Sequence, residues 1–175
     1  MDWFLIFILA GLALLIPTAY AGLIGAPYAP TRLRVVKKAF DEIKLSSTDV
    51  VIDLGAGDGK ILLEASRRGA QAVGYELSPI MWFIIWLRSM GNKNIAVKYQ
   101  NFYKADLSSA TVIFAFLMPN NMPKVKALLQ KQTLPKARYF LAYAFPLSDV
   151  EPLHVVREPD CLALYIYDLQ SINRV

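Results

Sequence analysis

Residues 49–60 read D-V-V-I-D-L-G-A-G-D-G-K, and no other stretch narrows the choice of fold so far. Val50, Val51, Ile52 and Leu54 form a short apolar run, rich in β-branched side chains, that stops abruptly at glycine. Such a run predicts a strand buried on both faces, as in a parallel sheet. Gly55, Gly57 and Gly59 then alternate, which lets the backbone turn tightly and approach a ligand that a Cβ would hold off. Residues 61–66 follow as a helix, so its unpaired N–H groups face the loop. A strand, a glycine loop and a helix in that order form a nucleotide-type site at the carboxyl end of a sheet.

The spacing of the glycines discriminates between ligands. In the dinucleotide pattern G-x-G-x-x-G, counted from Gly55, the third glycine would fall on Lys60. The phosphate-loop pattern G-x-x-x-x-G-K-[ST] fails too, since Gly55 stands one position short and Ile61 follows Lys60. What remains is acid-x-G-x-G-x-G, with Asp53 at the strand end. This resembles the first motif of the S-adenosylmethionine (SAM)-dependent methyltransferases of the seven-stranded-sheet type. The chemistry agrees with the resemblance. SAM has no phosphate, but it carries an ammonium and a sulfonium, which a carboxylate at Asp53 suits.

A chain of 175 residues is one domain with room for a full core. Hydrophobic residues make up 55%, and the mean hydropathy is positive, which points to a membrane segment. With one cysteine, Cys161, and one histidine, His154, neither a disulfide framework nor a Cys/His metal site is expected. Cys161 is read as a small core residue on a strand, and His154 as a surface or strand-end residue. The net charge is +5, with the basic residues concentrated between Arg32 and Arg138. That favours an anionic lipid surface or an acidic partner over nucleic acid.

The membrane segment is at the start. Residues 3–16 are continuously apolar and the low-polarity stretch runs to about Ala26, enough at helical rise to cover a hydrocarbon core of roughly 30 Å. Pro17 should bend that helix, which membranes tolerate. A cleaved signal peptide is the rival, because residues 19–21 (A-Y-A) resemble a cleavage site. Against it, Asp2 is the only charge ahead of the apolar run, and Arg32, Arg34, Lys37 and Lys38 come after it. This places the remainder of the chain in the cytoplasm as a single-pass membrane protein. The expected organisation is an anchor at 1–26, a linker and helix at 27–48, and a catalytic domain at 49–175.

Prolines stiffen residues 25–30, and Thr31 is expected to cap a helix running to about Lys44 with Val35, Val36, Ala39, Phe40 and Ile43 inward. Residues 71–76 read as a second strand ending in Glu76, whose carboxylate can accept from both hydroxyls of a ribose. Pro79 opens a helix, 79–90, that is apolar on every side, more than a sheet face requires. The surplus faces bilayer, the N-terminal helix or another copy, with Trp82 and Trp86 on one face. Strands follow at 94–99, 112–117 and 138–144, with a basic helix at 124–132. Residues 153–157 and 162–168 read as an antiparallel pair closing the sheet. The expected fold is therefore α/β: a Rossmann-like, doubly wound, mostly parallel seven-stranded sheet with a C-terminal antiparallel hairpin, preceded by one transmembrane helix.

Taken together, the anchor, P-Y-A-P at 27–30, the glycine motif, A-V-G-Y-E-L-S-P at 72–79, N-F-Y-K at 101–104 and V-I-F at 112–114 resemble a narrower group. It is that of the membrane-anchored protein-lysine methyltransferases, which includes the mitochondrial ATP synthase c-subunit and adenine nucleotide translocase enzymes. The resemblance covers about residues 26–168 and implies SAM as the cofactor and a membrane-embedded protein as the partner. It implies cofactor-binding roles for Asp53, Gly55, Ala56, Gly57, Asp58, Gly59, Glu76, Leu77, Asn101 and Phe102. Tyr28 and Pro30, folded over the cofactor, and Pro119 and Asn120 would shape the lysine channel. The family shows Asp where Asn101 stands and Arg where Lys60 stands. An Asn-Pro-Pro-Tyr motif, which marks nitrogen methylation of nucleobases or glutamine, is not found after the fourth strand. Lipid, quinone or RNA methylation, or a non-catalytic SAM-binding module, are the alternatives. The implied reaction is in-line attack by a neutral amine. A free lysine titrates near about 10.4, so desolvation and the nearby sulfonium must favour the neutral form.

Overall fold

The computed structural model describes residues 2–24 and 29–172. A 22-residue apolar helix, α1 (Trp3–Ile24), comes first, interrupted only by Pro17. Pro17 has no N–H to offer the preceding turn, and the Thr18 hydroxyl donates back to the Leu14 carbonyl at 2.8 Å. Both features weaken the helical ladder at that point. Helix α2 (Leu33–Glu42) buries Val35, Val36, Ala39 and Phe40, with Ile43 buried just beyond its end. The cap expected at Thr31 does not form. Arg32 occupies the N-cap position without a side-chain bond, because the helix starts one residue later than a Thr31 cap requires.

The remaining elements alternate. They are β1 (Val50–Asp53), α3 (Lys60–Arg67), β2 (Gln71–Glu76), α4 (Pro79–Ser89), β3 (Ile95–Tyr99), β4 (Val112–Ala115), α5 (Met122–Lys131), β5 (Tyr139–Tyr143), β6 (His154–Val156), β7 (Leu164–Asp168) and α6 (Leu169–Ile172). Single 3₁₀ turns lie at Phe102–Lys104 and Pro119–Asn121. One seven-stranded sheet runs in the order β3-β2-β1-β4-β5-β7-β6. β3, β2, β1, β4 and β5 are parallel, and β7 is antiparallel to both its neighbours. The hairpin is therefore inserted with its second strand against β5. Cys161 corrects its expectation: it sits half-buried in the bend before β7, not on the strand. The strand starts only at Leu164, where pairing with Tyr143 begins. His154 is the exposed first residue of β6.

Strand alternation sorts the core into two layers. Val51, Val112, Phe114, Leu141 and Tyr143 face α2 and α3, while Ile52, Ile113, Ala115, Phe140 and Ala142 face α5 and α6. Strands buried on both faces read as unbroken apolar runs, which is why β1, β4 and β5 were visible in the sequence. At the amino-terminal edge, buried Asp49 ties three strands together. Its carboxylate accepts from the Thr111 hydroxyl at 2.8 Å, from Arg138 at 2.6 Å and from the Ser46 N–H at 2.9 Å.

The surplus apolar surface of α4 is divided. Only Ile85 is fully buried, and α4 packs against β3, β2 and α1. Phe83, Trp86 and Leu87 stay about half exposed. Trp82 meets Tyr99 with ring centroids 6.1 Å apart.

Candidate active site

The strand order reverses between β1 and β4, so the loops after those strands splay apart and open a crevice at the carboxyl edge. A cavity of about 460 Å³ fills it. Its walls come from the loops after β1, β2, β3 and β4, from Ala29 and Thr31, and from the last turns of α1.

The glycine loop is shaped by two left-handed residues, Gly57 (φ 54°) and Gly59 (φ 79°). Gly59 is the N-cap of α3, and a Cβ there would lie 2.8 Å from Ile85 Cγ2. Gly74 in β2 makes room from behind: a Cβ on it would stand 2.8 Å from the Ala56 Cβ and 2.5 Å from a Leu62 methyl. The loop can therefore lie flat against β2, with the Ala56 N–H donating to the Tyr75 carbonyl at 3.0 Å.

Two carboxylates dominate the electrostatics. Asp53 is buried, accepts from the Gly55 N–H at 3.1 Å, and is pushed up to about 7 by burial, with Glu76 and Asp58 adding to the effect. Glu76 is also raised by burial, against three backbone donors that favour its charged form. Its Oε2 accepts from Gly57 N–H at 2.8 Å, and its Oε1 from Leu77 at 2.9 Å and Ser78 at 2.8 Å. A carboxylate offers about four acceptor directions, so most of this one is spent orienting the two loops around it. Asp58 differs. Burial alone would raise it, but Lys60 at 3.1 Å and Arg88 at 3.0 Å outweigh that and hold it below the usual range. The cavity thus holds two carboxylates, Asp53 and Glu76, that burial inclines toward their neutral forms and that a cation would draw back to charge, a setting that favours a cationic, phosphate-free ligand.

Of the residues singled out in the sequence, Asp53, Gly55, Ala56, Gly57, Asp58, Glu76, Leu77, Asn101 and Phe102 all line this cavity. Gly59 sits behind it as the helix cap. The Asn101 side-chain oxygen accepts from the Tyr103 N–H at 3.0 Å, capping the 3₁₀ turn, and Phe102 is buried against Tyr103. Tyr28 lies outside the described residues. Pro30 is exposed between two cavity residues, and Pro119 and Asn120 are exposed on the turn after β4, outside the cavity wall. Phe114, Phe116, Leu117, Met81 and the end of α1 line the cavity without having been singled out. Thr18, Ala21 and Gly22 of α1 carried a signal in their spacing, since small residues three or four apart let a helix approach its neighbour closely.

A doubly wound sheet whose glycine loop faces an acidic, phosphate-averse cavity defines the class of SAM-dependent methyltransferases. Solved structures agree. The RNA methyltransferase from Salinibacter ruber in complex with S-adenosylhomocysteine is 25% identical with a TM-score of 0.74, over 81% of this chain and 94% of that one. The chain belongs to the ANTKMT methyltransferase domain family, whose model matches residues 53–154. Among curated relatives, the ATP synthase c-subunit lysine N-methyltransferase of Xenopus laevis is 31% identical over 85% of this chain. The protein-lysine N-methyltransferase of Saccharolobus islandicus (strain REY15A) is 31% identical over 77%. The chain spans 66% of the Xenopus protein's length and 86% of the Saccharolobus one's.

Proposed function

We propose that this chain is a membrane-anchored enzyme that transfers a methyl group from SAM to a lysine side-chain amine of a membrane-associated protein. Residues 1–26 serve as the anchor, 27–48 as linker and helix, and 49–175 as the catalytic domain on the cytoplasmic side. The relatives named as protein-lysine methyltransferases support the acceptor. The observation that carries the reading is the flank of the cavity, where an apolar helix long enough to cross a bilayer borders the site itself.

SAM, when bound, supplies a methyl group activated by its sulfonium. The chain's contribution is placement and dryness. Asp53 is suited to the ammonium of the methyl donor, Glu76 to a hydroxyl of its ribose, and Asn101 and Phe102 to its adenine. Phe114, Phe116 and Leu117 supply an apolar wall on the side of β4. A lysine brought against that wall loses water, which lowers its pKa from about 10.4 and raises the neutral fraction that can attack. Alignment then does most of the work, without a strong general base. Tyr28, Pro30, Pro119 and Asn120 remain proposed only as the approach to the site.

A second reading, RNA methylation, is favoured by the Salinibacter neighbour. Incubating membranes and lysate with the purified chain and radiolabelled SAM decides between them. Label in one small membrane protein, mapped to lysine by mass spectrometry, supports the proposal. Label in RNA, or in extractable lipid or quinone, overturns it.

A further inference from the structure

α1 is exposed along most of its length, yet near its end Ala21 is buried. Thr18, Ala21 and Gly22 are spaced three and four residues apart, hence on one helical face, and all three line the cavity that Asp53 and Glu76 line. A polar chain fixes this approach. The Ser78 hydroxyl donates to Thr18 Oγ1 at 3.2 Å, the Ser78 N–H donates to Glu76 Oε1, and Glu76 Oε2 holds the Gly57 N–H. The Thr18 hydroxyl donates its own proton to the Leu14 carbonyl, leaving its oxygen free to accept. The helix is thus joined, through Ser78 and Glu76, to the glycine loop.

We propose that the end of α1 is a working part of the cofactor site. Thr18 is a positioning residue for the Ser78–Glu76 segment, and Ala21 and Gly22 leave the space that the methyl donor fills. Binding of the donor and docking of the helix are then coupled. An apolar helix of ordinary composition, with leucines at these positions, would fill the cavity from its side. This rests on reading the cavity as the cofactor site.

The test is calorimetry of S-adenosylhomocysteine on the full chain in detergent. Gly22→Leu should weaken binding by about tenfold or more, while Gly11→Leu, on the same helix where a Cβ meets nothing within 4 Å, should leave it unchanged. Thr18→Val should also weaken binding and Thr18→Ser should restore it, with the melting temperature of the ligand-free chain held across the pair. If the unmodified chain binds and Gly22→Leu and Thr18→Val bind equally well, this inference fails alone. If the unmodified chain gives no heat, the reading of the cavity fails and takes the inference with it.

Discussion

Asp53 sets the pH behaviour of the site. Its ordinary value is 3.8 and the fold raises it to about 7. Between these values the folded chain keeps a proton that the unfolded chain has lost, so ligand-free stability falls as pH rises from about 4 to 7. Above that interval the penalty is fully present, on the order of 4 kcal/mol. Asp53→Asn should therefore raise the melting temperature at pH 8 and leave it nearly unchanged at pH 4. With Asp53 in its proposed place beside the ligand's ammonium, binding has the opposite sign, because the cationic amine draws the proton off. The affinity for S-adenosylhomocysteine should increase by about tenfold between pH 6 and 8, with proton release measurable in buffers of different ionisation enthalpy. Asp53→Asn should flatten that rise, and a flat profile in the unmodified chain would contradict the proposed role. Glu76 acts differently, as the clasp between two loops. Glu76→Gln should lose about tenfold in affinity at pH 8, since an amide replaces an acceptor that three N–H groups share.

Among the elements, β2 carries a tight packing requirement at Gly74. Gly74→Ala puts a methyl against Ala56 and Leu62, so it should cost about 2 kcal/mol in urea unfolding and weaken cofactor binding as the loop lifts. Asp49→Ala tests the opposite edge. It removes an acceptor serving Ser46, Thr111 and Arg138 and should cost about 2 kcal/mol without changing affinity, because no cavity residue depends on it. At this scale the sequence was legible wherever one element's own pattern sufficed. Gln71–Glu76 matches the expected strand residue for residue, because a buried strand ending in an acid is a local pattern. The order β5-β7-β6 was not legible, since either strand of a hairpin could have met β5 and nothing local decides which. Asn101 illustrates a competing local bond: its oxygen satisfies the N–H two residues on, a role the sequence shares with many Asn turns. The contact between Thr18 and Ser78 joins segments sixty residues apart, and hydrophobic periodicity carries no information about such pairs.

For the whole molecule, the proposal that α1 is an anchor makes a mass prediction. The chain expressed in bacteria should resist carbonate extraction from membranes and keep an intact mass of 19.6 kDa. Release of a species shortened by the first twenty-odd residues would identify a cleaved signal instead. The basic residues Arg32, Arg34, Lys37 and Lys38 follow close behind the helix, so pull-down by anionic vesicles should weaken with salt less than for a peripheral protein.

Pro17 divides α1 unequally. The turns beyond it do two jobs, since Thr18, Ala21 and Gly22 meet Ser78 or the cavity while Tyr20 and Leu23 stay exposed, and residues 3–17, about 22 Å at helical rise, are the part clear of the site. That is shorter than the hydrocarbon thickness of roughly 30 Å. With α1 inserted as proposed, the globular part has little slack, and the half-exposed Phe83 and Trp86 of α4, which packs against α1, are expected among the headgroups. The enzyme then works at one altitude, and an amine is eligible by its height above the bilayer before the residues around it are read.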